Sequence, residues 1–373
     1  MNSNGWETVD LSAIVDIKTG KLDSNAAIEN GKYLFFTCSP ETYRINNYTF
    51  DTEAILLAGN NANGIFPIKH YTGKFNAYQR TYVITAKKSS TLYLKYLYYQ
   101  LTTQLSMLQE FSIGSATKFL TMRILGPLKI PLPSFSEQRA IAGILGALDD
   151  KIELNRRMNA TLEAMARAVF RQWFVDGEEV GQVKDLGEVI TGKTPPTNDR
   201  ENYGGEIPFI TIPDMHGKMF VIETGKTLSL HGVQTQRNKT LPPFSICISC
   251  IATPGLVSMT TKYSQTNQQI NSLIPKDKKS TYYCYFALRE LGYEIRARGS
   301  GGSVLLNLNK GQFETMPIPI PSADLMHKFN KFAEPFLLQI VANEKESHTL
   351  ASLRDSMLPK LMSGEVRVKD VEG

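Results

Sequence analysis

The chain contains the motif Pro131-Leu132-Pro133-Ser134, which returns later as Pro319-Ile320-Pro321-Ser322. The second motif lies 188 residues after the first, and the helical stretches that follow the two motifs align at this same offset without a gap. The aligned pairs are Ile141 with Phe329, Leu148 with Phe336, Ile152 with Ile340, Asn155 with Asn343 and Leu162 with Leu350. This period is too long for a solenoid, whose repeats span roughly 20 to 50 residues. The sequence therefore predicts two copies of one unit, a globular domain followed by a long helix, related by an approximate two-fold axis.

The first long helix has a recognisable beginning. Pro133 ends the preceding segment, and Ser134 with Glu137 three residues later has the pattern of a capping box. Its apolar positions then alternate spacings of four and three, which is the heptad rhythm of a coiled coil. We expect this helix to continue to Gly177.

The second long helix is predicted over 324–362 and is less regular than the first. Pro335 and Pro359 lie within it and are expected to kink it or to fray its ends, because proline cannot donate the helical hydrogen bond. We expect Gly364 to end this helix.

Each of these helices alone would expose a narrow apolar stripe to water, so we expect the two to cover each other. Because each helix follows a globular domain, antiparallel packing would carry the domains to opposite ends of a rod roughly 60 Å long. Asn155 and Asn343 lie near the middle, where they either fix the register as buried polar residues or face solvent. The predicted seam residues are Ile141, Leu148, Ile152, Asn155, Leu162, Phe329, Phe336, Ile340, Asn343 and Leu350.

The fold class is predicted as α/β, of mixed α+β type. Short apolar runs alternate with turn-rich clusters before each long helix, a pattern typical of strands and loops. Strands are predicted within 54–58, 81–85, 207–212 and 245–250, and helices near 92–108 and 282–296. Two globular domains, 1–133 and 178–321, are thus expected beside two coiled-coil segments, 134–177 and 322–373, the second with the C-terminal tail.

The composition excludes several classes of protein. Four cysteines in 373 residues cannot form a disulfide framework, and no stretch approaches the roughly 18 apolar residues of a membrane helix. The first ten residues lack the pattern of a signal peptide. We therefore expect a soluble, cytoplasmic protein without a membrane partner. The formal net charge of +5 is compatible with a phosphate-rich partner and does not require one.

The segment 187–194 matches the phosphate-loop pattern G-x-x-x-x-G-K-[ST]. A working loop requires a buried strand before it and a helix that begins at its Lys-Thr end. The preceding residues make a poor buried strand, and Pro195-Pro196 disfavours immediate helix formation. A P-loop nucleotidase with a coiled-coil arm remains the alternative function.

No metal or catalytic site is predicted. Cys247 and Cys250 form a C-x-x-C pattern, but residues three apart on a strand point to opposite faces. No second cysteine pair or nearby histidine completes a zinc set. We therefore expect two buried strand cysteines and no catalytic residue in this chain.

Two loop-rich stretches carry the polar and basic chemistry that suits DNA. Residues 67–76 place cations beside turn residues, and residues 264–271 supply side-chain amides. Asn and Gln can bind adenine through two hydrogen bonds, whereas Arg and Lys bind guanine or phosphates. Ordinary solvated loops are the alternative interpretation of either stretch.

With this architecture, the chain resembles the DNA specificity subunit of type I restriction-modification systems over essentially its whole length. The resemblance rests on the repeated unit, on residues 136–142 at the start of the first helix and on residues 353–364 at the end of the second. It also rests on residues 249–255 and 266–271, which are similar to the core of the family's target-recognition domains. The sequence departs from the pattern at 324–327 and at 57–61.

The resemblance implies that each globular domain reads half of a split site in double-stranded DNA. It also implies that the helix pair acts as a spacer and as the platform for two methyltransferase subunits. Those partners would carry S-adenosylmethionine, and a restriction subunit, an ATP- and Mg²⁺-dependent translocase-nuclease, could join them. This chain itself would hold no cofactor. The predicted DNA contacts are Lys69, Lys74, Arg80, Lys193, Thr253, Asn267, Gln268 and Lys310.

Overall fold

The computed structural model describes residues 5–61, 64–112, 118–174, 180–251, 253–299 and 308–368. The chain divides into two compact units. Unit 1 comprises Met1–Lys151 with Thr349–Gly373, and unit 2 comprises Ile152–His348. Each unit contains a globular domain and a segment of both long helices. In the described part of the chain, no helix has the length and apolarity needed to cross a membrane.

The domain of unit 1 is built on a six-stranded sheet. The elements are β1 (Glu7–Asp10), α1 (Leu11–Ile14), β2 (Val15–Thr19), β3 (Tyr33–Phe36), β4 (Thr42–Ile45), β5 (Phe50–Ala58), β6 (Asn60–Asn61), β7 (Ile68–Ala77), β8 (Thr81–Ala86), α2 (Leu94–Phe111), β9 (Lys118–Phe119), α3 (Met122–Leu125), β10 (Lys129–Leu132) and α4 (Phe135–Trp173). The strand order is β2-β8-β5-β7-β3-β4, antiparallel except between β3 and β7. β1 pairs separately with β10.

The central strand β5 is buried on both faces of this sheet. Ile55 and Leu57 pack in one apolar cluster with residues of α2, whereas Ala54 and Leu56 pack in another with Phe75. Successive side chains of a strand point to opposite faces, so a continuous apolar run requires a layer on each side. The run Ala54–Ala58 contains only apolar residues because both of its faces are covered.

The domain of unit 2 has a five-stranded sheet, ordered β12-β19-β16-β17-β14, beside a three-stranded sheet, ordered β15-β13-β18. Its elements are β11 (Val180–Gln182), β12 (Gly187–Thr191), β13 (Tyr203–Ile210), α5 (Ile212–Met215), β14 (Phe220–Val221), β15 (Thr227–Leu228), α6 (Leu230–Gln234), β16 (Ile246–Ser249), β17 (Val257–Thr260), β18 (Gln265–Thr266), β19 (Ile270–Pro275), α7 (Thr281–Gly299), α8 (Lys310–Glu314), β20 (Pro317–Pro319) and α9 (Ala323–Ser363). The buried residues of α7 pack in one apolar cluster with those of β16 and β17.

The two domains share a strand register. β2 pairs with β8 from Val15–Ala86 to Thr19–Tyr82, and β12 pairs with β19 from Gly187–Pro275 to Thr191–Asn271. In both pairs the strands are antiparallel, and the first strand has 5 residues. The internal repeat therefore extends from the long helices into the sheets.

A glycine follows the first strand of each pair, Gly20 after β2 and Gly192 after β12. The Gly20 amide donates to Thr81 O at 3.4 Å, and the Gly192 amide donates to Ile270 O at 3.0 Å. A Cβ at Gly20 would overlap the carbonyl oxygen of Ala77, and one at Gly192 would overlap that of Asn267. Both positions therefore require a residue without a side chain, because another backbone segment lies against them.

In unit 1 the beginning of α4 packs antiparallel to the end of α9. Ile141 and Leu145 are fully buried in one apolar cluster with Leu361. Further along, Asp149 Oδ1 accepts from Arg354 Nη1 at 2.7 Å. Its other oxygen, Oδ2, accepts from Tyr99 Oη at 2.6 Å. Apolar burial with a paired carboxylate holds this segment of the helix pair against α2.

The predicted capping box of α4 is half present. The Glu137 amide donates to Ser134 Oγ at 3.2 Å, as a helix cap requires. The Glu137 carboxylate does not complete the box; it accepts from Arg367 Nε at 2.6 Å and from Trp6 Nε1 at 3.2 Å. This glutamate therefore fastens the N-terminal strand and the C-terminal tail to the helix.

In unit 2 the helices meet through a buried polar network. Asn155 Nδ2 donates to Glu346 Oε2 at 2.8 Å and to Ser347 Oγ at 3.2 Å. Asn343 Nδ2 donates to Asn159 Oδ1 at 2.8 Å. Asn155 is 0% exposed and Asn343 is 4% exposed, so both are buried and neither faces solvent. The two asparagines aligned by the sequence repeat thus each donate hydrogen bonds across the helix pair, to different partners.

The remaining seam residues are all shielded from solvent to some degree. Ile141, Phe329 and Ile340 are buried, and Leu148, Ile152, Leu162, Phe336 and Leu350 are partly buried. Each predicted strand and helix has a counterpart among the described elements, but the strand predicted over 207–212 ends at Ile210, because Ile212 begins α5 behind a capping box of Thr211 and Asp214. The helix α9 continues through Pro335 and Pro359 as one helix. It ends before Gly364, whose φ is 72°. Gly177 lies outside the described residues, and the four proposed domain boundaries remain predictions.

We predict that Asn155→Ala lowers the free energy of unfolding by about 1 to 3 kcal/mol, because it removes the hydrogen bonds of a fully buried amide, one of them to the Asn343 carbonyl oxygen at 3.3 Å. Urea titration of the full chain measures this. The control is Arg156→Ala, since Arg156 is exposed and, within the described part of the chain, bonds only to Glu153 on its own helix. That variant should change stability by less than about 0.5 kcal/mol. Equal effects of the two substitutions would contradict the role of Asn155.

We predict opposite effects for two glycine-to-alanine substitutions. Gly192→Ala should destabilise the protein by about 1 to 3 kcal/mol or more, because its Cβ has no room against Asn267. Gly143→Ala should stabilise it by about 0.5 to 1 kcal/mol, because Gly143 lies on an exposed face of α4 with nothing within 4 Å of the new Cβ. Thermal unfolding of both variants measures the difference, and a Gly192→Ala variant as stable as the parent would refute it.

Candidate nucleic-acid interface

Several predicted DNA contacts of unit 2 lie at one end of the five-stranded sheet. At this end β12 and β16 finish and β19 begins. The Lys193 amide donates to Thr266 O at 2.9 Å, and Thr194 Oγ1 donates to Gln268 Oε1 at 2.6 Å. We call this surface the unit 2 loop edge and define it by residues 192–194, 253–255, 264–269 and 308–310. Lys193 and Gln268 are exposed on it.

Thr253 and Lys310 border the same edge. Thr253 is exposed, and its carbonyl accepts from Ser249 Oγ at the end of β16 at 2.6 Å. Its neighbour Ala252, part of the motif that carried the resemblance, lies outside the described residues. Lys310 begins α8, two residues after Leu308, whose amide donates to Cys250 O at 3.2 Å just beyond the end of β16. Its Nζ lies 3.4 Å from Glu314 Oε1. The structure thus gathers Lys193, Thr253, Gln268 and Lys310 at one end of the sheet.

The polar run 264–271 is only partly available to a ligand. Gln265 is 0% exposed, and its Oε1 accepts from Gln236 Nε2 at 2.8 Å. The same nitrogen of Gln236 donates to the Lys193 carbonyl at 2.7 Å. Asn267 is partly buried and bonds both the amide and the side chain of Gln269. Several polar side chains of this run therefore support the loops, and Gln268 is its exposed amide.

The equivalent end of the unit 1 sheet carries Arg80. The Gly59 amide, just after β5, donates to Arg80 O at 2.8 Å. The exposed guanidinium lies 5.4 Å from the centre of the Phe119 ring. Cys38 Sγ donates to Asn60 Oδ1 at 3.0 Å and ties the neighbouring loop to this end. We call this surface the unit 1 loop edge and define it by residues 20–21, 59–61, 78–80 and 118–119.

Lys69 and Lys74 do not resemble Arg80 in their surroundings. Lys69 Nζ donates to Glu41 O at 2.7 Å and to Thr42 Oγ1 at 3.0 Å, and burial lowers the pKa of its ammonium group. Lys74 lies five residues further along β7, with Nζ 4.0 Å from Asp51 Oδ2 and over the Tyr48 ring. The structure therefore gives Lys69 an internal role and does not bring Lys74 to the unit 1 loop edge.

Lys21 is an exposed cation of the unit 1 loop edge that is absent from the predicted contacts. It follows Gly20 as Lys193 follows Gly192, within the repeated tripeptide Thr19-Gly20-Lys21 and Thr191-Gly192-Lys193. The repeat was visible in the sequence. Its meaning depends on the strand register, which places both lysines at equivalent sheet ends.

The segment 187–194 is not a phosphate-binding loop. Gly187–Thr191 is strand β12, and residues 192–196 have no helical structure. The Lys193 amide donates to Thr266 O. A phosphate-binding loop instead needs free amides that converge on the phosphate at the start of a helix. The nucleotidase alternative is therefore wrong.

The C-x-x-C pattern is also structural. Cys247 and Cys250 are buried and belong to different apolar clusters, on opposite faces of the sheet. Burial raises the pKa of Cys247 to about 12 and that of Cys250 to about 11, so both remain protonated thiols at neutral pH. Among the described residues, no group of three or more His, Cys, Asp or Glu side chains is arranged to hold a metal ion.

Comparison with protein families identifies both halves of the chain. The family model described as the type I restriction modification DNA specificity domain matches residues 3–164 and again residues 176–348. Together these matches cover far more than half of the chain. The phosphate-loop pattern therefore lies inside the second specificity domain.

Two proteins named as type I specificity subunits are similar to this chain. The type I restriction enzyme HindI specificity subunit of Haemophilus influenzae is 30% identical over 415 residues, covering 90% of this chain and 84% of that protein. The EcoDI specificity subunit of Escherichia coli is 42% identical over 169 residues, covering 45% of this chain and 36% of that protein.

A solved structure shows the same fold. The crystal structure of a type I restriction-modification S subunit from M. genitalium superimposes with a TM-score of 0.65 at 18% identity, covering 97% of both chains. The resemblance inferred from the sequence is thus confirmed by the family model and by the HindI relative. The chain belongs to the specificity subunits of type I restriction-modification systems and carries two target-recognition domains in one polypeptide.

Proposed function

We propose that this chain selects a split site in double-stranded DNA, with each target-recognition domain reading one half of the site. The observation that carries the proposal is the pair of loop edges at equivalent ends of two sheets that share a strand register. Each edge presents an exposed cation, Arg80 in unit 1 and Lys193 in unit 2, beside polar side chains. Cations and amides on loops are the groups that contact phosphates and base edges.

Base readout in this proposal comes from the residues that differ between the two edges. Gln268 has an exposed side-chain amide, which can bind adenine through two hydrogen bonds. Arg80 has an exposed guanidinium, which can bind guanine O6 and N7. Thr253, Asn267 and Lys310 border the unit 2 edge and would contribute further contacts. Lys69 is assigned to the support of β3 and β4 instead of to DNA.

The proposed protein partners are two methyltransferase subunits docked on the helix pair. Leu154, Met158 and Met165 lie on one face of α4 at spacings of four and seven, and each is substantially exposed. Leu338 of α9 is 50% exposed. Exposed apolar side chains in a row are unfavourable in a free monomer and suit a protein interface, where methionine is enriched.

The proposed division of labour leaves the chemistry to the partners. The methyltransferase subunits would carry S-adenosylmethionine, and a restriction subunit would use ATP and Mg²⁺. This chain would hold no cofactor and catalyse no reaction, and its contribution would be the binding free energy that differs between DNA sequences. Acting on cellular DNA, it would work in the cytoplasm.

Mapping of N6-methyladenine across a genome tests this proposal. Cells that express the methyltransferase partner are compared with and without this chain. We expect a methylated motif of two short half-sites separated by unspecified bases, present only with the chain. Methylation at an unchanged motif in cells that lack the chain would refute the proposal.

We further predict that edge substitutions change one half-site at a time. Gln268→Ala should relax one half of the methylated motif and Arg80→Ala the other, because a lost base contact removes about 1 to 3 kcal/mol of discrimination. Methylation maps of the two variants serve as each other's control. Changes in both halves from either single substitution would show that the domains do not read separate half-sites.

A further inference from the structure

The tripeptide Thr-Gly-Lys ends the first strand of each matched strand pair. Thr19 is the last residue of β2 and pairs with Tyr82, and Thr191 is the last residue of β12 and pairs with Asn271. The next amide, that of the glycine, continues the ladder in both domains by bonding Thr81 O or Ile270 O. The two lysines therefore emerge from the same backbone position of two differently sequenced domains.

The position is held rigidly. Neither Gly20 nor Gly192 has space for a Cβ, because the segment that leads into the opposite strand packs against it. In unit 2 the Lys193 backbone is fixed further, since its amide donates to Thr266 O and its carbonyl accepts from Gln236. A lysine at this point has a fixed backbone and the flexible stem common to all lysines. Such a side chain suits a phosphate contact, because that contact depends on charge more than on directional geometry.

The charges of Lys21 and Lys193 are available to a ligand. Both residues are exposed, and neither forms an ion pair with a carboxylate of the described residues. In contrast, Lys74 lies near Asp51 and Lys310 near Glu314. The two equivalent lysines thus carry cations that the fold itself does not use.

The surroundings of the two lysines differ. Beyond Lys193, Thr194 bonds Gln268, whereas beyond Lys21 the chain pairs through Leu22 with Tyr78, and Asp23 accepts from Gln79. A group shared by two domains that read different half-sites cannot account for the difference between those half-sites. A contact that both domains share is therefore expected to be a phosphate contact, because phosphate contacts set the position of a domain without carrying sequence information.

We infer that Lys21 and Lys193 are equivalent contacts to the DNA sugar-phosphate backbone, one in each target-recognition domain, and that they position each domain without reading bases. The inference rests on the proposed function and adds to it a division within each loop edge. The repeated lysine anchors the domain, and the unrepeated side chains around it select the sequence.

The experiment uses the full chain assembled with its methyltransferase partners. Lys21→Ala, Lys193→Ala and the double variant are titrated with a duplex that contains the methylated motif and with a scrambled duplex, at several salt concentrations. The matched control is Lys87→Ala with Lys276→Ala. These exposed lysines follow β8 and β19 at the opposite end of the same strand pairs, where their amides make equivalent bonds to Ile14 O and Leu186 O. The control double variant removes the same total charge.

Each single edge variant should weaken binding to both duplexes by the same factor. The slope of log K against log salt concentration should fall by about one per lysine, so by about two in the double variant. Lys→Arg at either position should restore both quantities, because charge is what the contact needs. The methylated motif should stay unchanged, and the control pair should leave the salt slope at its parental value.

Three results would overturn the inference while leaving the proposed function intact. They are a parental salt slope in the edge double variant, an equal loss in the control pair, and a changed base preference in either single variant. The parent complex distinguishes failure of the lysine inference from failure of the proposed function. If that complex did not prefer its own motif over the scrambled duplex, the proposed function would be refuted. Thermal unfolding of each variant verifies that the lysines act on DNA and not on folding.

Discussion

The structure depends on the burial of apolar stripes between two long helices. Neither α4 nor α9 is apolar enough to be buried on all sides, and neither could leave its stripe in water, so each covers the other and the adjacent domain helix. Burial favours association at roughly 25 cal/mol per Å² but does not distinguish one register from the next. The buried asparagines supply that distinction in unit 2, because a shift along the helices would leave Asn155 and Asn343 without partners.

The same duplication constrains the domains that the helices carry. The matched pairs β2–β8 and β12–β19 keep their register although the loops between their strands differ in length and sequence. A close backbone approach at Gly20 and Gly192 fixes the end of each first strand. A rigid sheet end with variable loops can change what it binds without changing how it folds, which is the property that a family of specificity proteins needs.

The loop edges show how charge and burial divide labour among similar residues. Lys69 and Lys193 are both predicted DNA contacts, yet the first is half-buried with its ammonium group donating to the Glu41 carbonyl, whereas the second is exposed. Among the amides, Gln265 is enclosed and braces Gln236, whereas Gln268, three residues on, is exposed. Buried polar groups must be paired, so enclosed members of a polar run become part of the scaffold. Only the exposed members remain for a ligand.

The sequence by itself determined the repeat, the two long helices, the mixed α/β domains and the family, because heptad spacing, capping residues and turn clusters act over a few neighbouring residues. It also located the loop stretches from which DNA contacts were predicted. Only the tertiary structure decided which side chains of those stretches are exposed, since contacts between segments distant in the chain half-buried Lys69, enclosed Gln265 and placed Lys21 and Lys193 at equivalent ends of their own sheets. Local patterns fix secondary structure, whereas the exposure of a side chain depends on which remote strands and loops pack beside it.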